Sequence, residues 1–290
     1  MSDRAAILQF AEEVSTVREL IERDIAPSDT VQRVVKILKQ LSARLRQPPR
    51  IAIVGEANSG KTSLANMLIG QDVLVTDLLR NTRATILVKH STSPTLGLLD
   101  RDGKRAPITE EGLTAMQRCH FHFLELGLPS ARLLEFEIID TPSFSAQAET
   151  FVKMEQTLRH ADLAIWCTLA TQAWKHSESS LWDSVSQRIK PYSVLLATHA
   201  DALSDDDRSK VMQRLQREAG AQFGVIAAIS LRETATMPSF GAERRTGADE
   251  GIAGLLTKLD ATLSKVNRRR LEAAKRVVDR IVLQVDELGR

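Results

Sequence analysis

The run RIAIVGEANSGKT, residues 50–62, constrains the fold of this chain more than any other stretch. Ile51, Ala52, Ile53 and Val54 form a short apolar strand pattern. It feeds directly into G-x-x-x-x-G-K-[ST], filled by Gly55, Gly60, Lys61 and Thr62, and a helical pattern over residues 61–69 follows at once. Strand, glycine loop and helix in that order build a phosphate-binding loop. The glycines permit tight turns, and the backbone N–H groups around residues 58–62 face an anion at a helix N-terminus. Glu56, Ala57, Asn58, Ser59 and Ser63 complete the candidate cradle. Lys61 is expected to reach the β- and γ-phosphates of a nucleotide, and the Thr62 hydroxyl to hold Mg²⁺. In an empty loop Lys61 is expected to stand exposed.

Two further stations follow in chain order. "EIIDTPS" ends an apolar strand at Asp140, whose carboxylate can hold Mg²⁺ through water. The usual guanine-nucleotide pattern here is D-x-x-G, with the glycine N–H on the γ-phosphate. Ser143 stands in place of that glycine, keeping the N–H but accepting fewer backbone angles. "LLATHAD" ends another apolar strand and fits [NT]-K-x-D. Thr198 would brace the loop, His199 replaces the lysine whose stem lies along the base, and Asp201 would accept from guanine N1–H and the 2-amino group. Adenine offers neither donor, and buried polar groups left unpaired reject the wrong base. At the end of "AAIS", Ser230 is where a backbone N–H could read guanine O6. GTP or GDP is therefore the expected ligand.

Around these stations the chain reads as α/β. "ATILVKH", "LAIWCTL", "SVLLAT" and "VIAAIS" are further strand patterns, and helical patterns lie at 147–160, 177–188 and 205–219. That alternation predicts a mostly parallel sheet covered by helices, over residues 49–250. The flanks are helical. Ile7, Phe10, Ala11, Val14, Val17 and Ile21 make one stripe, and after Pro27, with Ser28 or Asp29 as cap, Val31, Val34, Val35, Leu38, Leu41 and Leu45 make a second. Leu256, Leu259, Leu263, Val266, Ala274, Val277, Ile281, Val285 and Leu288 make a third, which Arg270 interrupts. No such helix buries its stripe alone, so residues 1–48 and 251–290 are expected to close a small bundle.

The net charge of +2, from 39 basic and 37 acidic residues, gives no global field for polyanions, and no specific nucleic acid is expected. "NRRRLEAAKR" reads as a solvated helix face rather than a lipid or RNA patch. No apolar run approaches the roughly 20 residues of a membrane span. Cys119 and Cys167 read as reduced core thiols of a cytoplasmic protein. His120 and His122 have strand spacing without a metal partner set, and Trp166, Trp174 and Trp182 read as core or interface. The stretch 236–250 is the flexible-loop candidate.

"GEANSGKTSLANMLIG" resembles two groups, the Era and MnmE type of small bacterial GTPase and the dynamin-like GTPases. Both continue the phosphate loop with S-L-x-N-x-L-x-G, here Ser63, Leu64, Asn66, Leu68 and Gly70. Thr82 in "NTRATILV" looks like the switch I threonine of dynamins, and it lies 58 residues before Asp140 (140 − 82 = 58). An Era-type domain needs about 20 residues there. The extra length holds "GLLDRDGKRAPIT", a turn between potential strands, and "TEEGLTAMQRC", a potential helix, which matches the enlarged sheet of dynamin-like domains. "RHADLAIWCTLATQAWKHSE" and the terminal helices also resemble dynamins. The resemblance implies a Mg²⁺-dependent GTPase using Lys61, Thr62, Thr82 and Ser143, pairing as a homodimer through its GTPase faces. It also implies a bundle that acts on a membrane periphery or a partner protein, in membrane remodelling or assembly. Ala57 replaces the Gln or Arg that organises catalysis in dynamins. Asn58 either holds a K⁺ ion that substitutes for an arginine finger or braces the loop. The alternatives are a scaffold or switch with very slow hydrolysis, and an Era-type ribosome-associated GTPase.

Overall fold

β1 (Arg50–Gly55) is buried from Ile51 to Gly55. A strand covered on both faces belongs in the middle of a parallel sheet, and β1 pairs in parallel with a strand on each side. The computed structural model describes residues 3–74, 85–100, 105–106, 108, 121–141, 148–230 and 249–288. Thr82, Ser143, Cys119, His120, the segment 109–119 and residues 231–248 lie outside the described residues. Two compact units emerge, one of residues 1–48 with 260–290 and one of residues 49–259.

In the larger unit, α3 (Lys61–Ile69), β2 (Ile86–His90), β3 (Thr95–Asp100), β4 (Arg105–Ala106) and β5 (Phe121–Leu128) follow β1. Then come β6 (Glu137–Asp140), α4 (Ala148–Arg159), β7 (Leu163–Leu169), α5 (His176–Asp183), β8 (Val194–Thr198), α6 (Asp205–Ala219) and β9 (Val225–Ala228). The sheet has nine strands in the order β4-β3-β5-β2-β6-β1-β7-β8-β9. β6, β1, β7, β8 and β9 run parallel, β2 is antiparallel to β6, and β5 is parallel to β2. β3 and β4 extend the β5 edge antiparallel. The described part of the span between Thr82 and Asp140 includes β3, β4 and β5, which enlarge the sheet. The apolar strand that ends at Asp140 starts at Glu137, and Ala131–Leu134 before it forms a 3₁₀ turn. The helix suggested over 177–188 ends at Asp183.

The three tryptophans are core. Trp166 and Trp182 are fully buried and Trp174 nearly so. Trp166 meets Trp182 and Trp174 edge-on at 5.6 and 5.9 Å, and Trp182 stacks on Phe223 at 4.3 Å. Cys167 is a buried free thiol.

The smaller unit joins α1 (Asp3–Asp24), α2 (Asp29–Arg46) and the later part of α7 (Asp249–Leu288). Ser28 caps α2, its hydroxyl accepting from the Val31 N–H. Ile7, Ala11, Val14 and Ile21 meet Val31, Val34, Leu38 and Leu45, together with Ala274, Val278 and Ile281. Val277, placed on the stripe by its spacing, is exposed, and Val278 fills the position instead. Arg270 does not break the stripe. It is buried and donates to the carbonyls of Arg44 and Gln47 at 2.8 and 2.9 Å. From α1, Arg4 donates to the carbonyls of Leu45 and Gln47. Two guanidiniums thereby satisfy the carbonyls that the end of α2 leaves open. Among the described residues no helix is long and apolar enough to cross a membrane.

Candidate guanine-nucleotide site

Parallel pairing lines up the C-terminal ends of the central strands. Ile53 pairs with Asp140, Gly55 with Cys167, and Leu169 with Thr198. The ends of β1, β6, β7 and β8 therefore share one edge, on both sides of β1, where the strand order switches direction. Open α/β sheets bind ligands at such a point.

Gly55 and Gly60 are required by geometry. A Cβ at Gly55 would lie 2.4 Å from the Cys167 carbonyl oxygen and 2.5 Å from Ser59 Oγ. Gly60 has φ +79° and immediately precedes α3. Asn58 is also left-handed, with φ +61°. Asparagine tolerates that region better than most side chains, which suits it to this position in the loop. Ala57, Asn58, Thr62 and Ser63 are exposed at the loop surface, whereas Ser59 is buried.

Lys61 departs from its expected exposure. It is 6% exposed, and its ammonium donates to the Glu56 carbonyl at 2.6 Å. The loop curls over its own lysine, because the backbone offers an acceptor at the reach of the side chain. Burial lowers the Lys61 pKa, opposed by the neighbouring acidic groups, Asp140 and Glu56 among them.

Asp140 is buried, and its Oδ1 has no hydrogen-bond partner among the described residues. Burial pushes its carboxyl up to about 6, with Lys61 pulling the other way. An acceptor oxygen shut away from water and left unpaired is costly, and a divalent cation supplies what it lacks. The donor set of Asp140 and the Thr62 hydroxyl, both oxygen, fits Mg²⁺. The next residue, Thr141, donates its hydroxyl to the Ile53 carbonyl at 2.8 Å and ties the end of β6 to β1.

The Thr198 hydroxyl lies 3.0 Å from the Ser59 carbonyl and 3.1 Å from that of Thr168. One buried hydroxyl thereby links the phosphate loop, β7 and β8. His199 has φ +55° and opens the turn that carries Asp201. The Ser230 hydroxyl donates to Asp201 Oδ1 at 2.9 Å. Ser230 thus meets Asp201 through its side chain, a contact that its backbone-based reading did not include. Sequence reasoning also missed Lys175 and Glu178. Lys175 reaches Glu56 at 2.8 Å, and the Glu178 carboxylate accepts the Lys175 N–H at 2.9 Å. The three-residue spacing from Lys175 to Glu178, at the head of a helix, was the available signal.

The family described as "50S ribosome-binding GTPase" matches residues 50–198, more than half of the chain and the span from β1 to Thr198. The chain belongs to this GTPase family. It is a phosphate-loop GTPase with dynamin-like relatives. It is 25% identical over 236 residues to dynamin-like protein 2 of Campylobacter jejuni, covering 79% of this chain and 38% of that protein. It is 35% identical over 118 residues to the isoniazid-induced protein IniC of Mycobacterium tuberculosis, covering 38% of this chain and 24% of IniC. The chain thus spans well under half the length of either relative. A solved structure of an oligomerised bacterial dynamin pair superposes with a TM-score of 0.58 at 19% identity, covering 90% of this chain and 42% of the other. The bacterial dynamin LeoA gives a TM-score of 0.53 at 18% identity, covering 97% and 47%. The family binds GTP or GDP, usually with Mg²⁺.

Proposed function

We propose that this GTPase hydrolyses GTP to GDP slowly as a single chain and faster when two GTPase faces pair across the nucleotide. The bundle of α1, α2 and α7 is the element that answers, toward a membrane surface or a partner protein. The observation that carries the site reading is Asp140. A buried carboxylate with an unpaired oxygen, beside a lysine at the head of the phosphate-loop helix, is a poor arrangement for an empty protein and a good one for a metal–triphosphate. The dynamin-like course of the proposal is supported by the similarity to the Campylobacter protein and by the three strands added to the sheet.

In this reading the Lys61 ammonium reaches the β- and γ-phosphates while the loop N–H groups hold their oxygens. Thr62, Thr82 and Asp140 would hold Mg²⁺, which when bound neutralises charge on the β- and γ-phosphate oxygens. A water oxygen bonds to the γ-phosphorus as the bond to the β–γ bridging oxygen breaks, giving GDP and phosphate. Thr82 and the backbone around Ser143 would act on the γ-phosphate. Asp201, oriented by Ser230, reads the guanine edge, with His199 along the base. Ala57 brings no side chain to organise the water. The exposed side chain of Asn58 is then the candidate K⁺ ligand, completed when a second face closes over it.

The test is GTP turnover per molecule against protein concentration, in K⁺ and in Na⁺. Turnover that rises with concentration, more in K⁺, is expected, and Asn58→Ala should erase the cation effect while sparing GDP binding. A flat, cation-indifferent rate favours the slow switch to which the bare methyl of Ala57 points.

A further inference from the structure

A line of hydrogen bonds runs from the core of the larger unit to the phosphate loop, and two of its members, Glu178 and Lys175, belong to no nucleotide motif. Glu178 is 2% exposed. Its carboxylate accepts from Trp166 Nε1 at 3.0 Å, Thr168 Oγ1 at 2.8 Å and the Lys175 N–H at 2.9 Å. Three donors offset the cost of burying that charge. They also fix the point where Lys175 leaves the backbone. Trp174, one residue earlier, is left-handed with φ +59° and donates its N–H to Thr168 Oγ1 at 3.1 Å, so the turn is anchored on both sides. Lys175 Nζ then reaches Glu56 Oε2 at 2.8 Å, and the carbonyl of the same Glu56 accepts Lys61 Nζ at 2.6 Å.

Glu56 follows Gly55 directly, so it is the first loop residue with a side chain that can be held from outside. We propose that the Glu56–Lys175 ion pair is a positioning device for Lys61: it fixes the Glu56 peptide so that its carbonyl aims the Lys61 ammonium at the phosphates. The proposal rests on the reading of Gly55–Thr62 as the phosphate site. Both side chains of the pair are about a third exposed, 37% for Lys175 and 30% for Glu56. Such a pair adds little to folding stability. Its effect falls on the orientation of one peptide and, through that peptide, on nucleotide affinity.

The experiment measures GTP and GDP affinity and melting temperature for Lys175→Met, Glu56→Gln, Lys175→Arg, the charge swap Glu56→Lys with Lys175→Glu, and Lys61→Ala. At low salt, Lys175→Met and Glu56→Gln should each weaken both nucleotides about two- to fivefold, with an unmoved melting temperature. Lys175→Arg should keep wild-type affinity, and the swap should recover most of what the single changes lose. The gap should close near 1 M salt, where screening acts within about 3 Å. Wild-type affinity in Lys175→Met while Lys61→Ala fails to bind would overturn the positioning role and leave the phosphate site standing. A swap that binds no better than Lys175→Met or Glu56→Gln would also overturn it. Wild-type affinity in Lys61→Ala would remove the phosphate-site reading, and the positioning role with it.

Discussion

Replacing Asp140 by asparagine should make the nucleotide-free protein more stable and a worse nucleotide binder. Burial holds the Asp140 carboxyl at about 6 against an ordinary 3.8. A carboxyl raised in the folded state disfavours its own ionisation there. Asp140 by itself thus favours the folded state most below pH 4, where it is neutral in both states, and that contribution is lost as pH rises from about 4 through 6. Each pKa unit is worth about 1.4 kcal/mol, so the full shift costs about 3 kcal/mol above pH 7. An asparagine amide keeps the shape and never ionises, so Asp140→Asn should recover about that much, a rise on the order of 5–10 °C in melting temperature. The gap between the two proteins should be small at pH 4, open between pH 4 and 6.5, and stay level above. Thermal unfolding of both, without nucleotide or divalent ions, measures it directly. The same change should weaken Mg²⁺-dependent GTP binding roughly 10–100-fold. A variant no more stable than wild type at pH 7.5, or a gap that ignores pH, would refute the claim that Asp140 is strained in the empty site.

Other outcomes follow from individual contacts. Because Mg²⁺ favours ionised Asp140, wild-type affinity for Mg²⁺·GTP should fall by about tenfold per unit as pH drops below 6, and titration calorimetry should find proton release. Asp201→Asn should erode the preference for GDP over ADP in competition binding, since an amide cannot accept from both guanine donors as a carboxylate does. Leu38→Ala, at the fully buried centre of the bundle, should cost about 2–5 kcal/mol in denaturant unfolding. Arg270→Met should cost about 1–3 kcal/mol, because the α2 carbonyls lose a buried donor.

The sequence carried the strand ends well and the side-chain environments poorly. β1, α3, β7 and α6 were legible to within a residue, because an apolar run bounded by glycine, or a capped amphipathic stretch, leaves few alternatives. The order of Lys61, Asp140 and Asp201 along the chain placed them on one edge, since parallel strands must all end there. What periodicity cannot express is a polar group buried for a reason of its own. Arg270 looked like a break in a stripe because nothing in the spacing reveals that the end of α2 needs a donor there. Lys61 looked exposed because the Glu56 carbonyl that captures it is backbone, invisible to residue type. Lys175 and Glu178 carry no nucleotide motif, and their link to the loop exists only once β1 and β7 are paired.

The central claim is that the loops after β1, β6 and β8 form one guanine-nucleotide site, and competition binding tests it most directly. GTP, GDP, ATP and ADP would be titrated against the wild-type chain in Mg²⁺. With Asp201 held by Ser230 and the phosphate loop tied to Thr198, GTP and GDP should bind about tenfold tighter than ATP and ADP, or better. Equal affinity for adenine and guanine nucleotides would contradict the account.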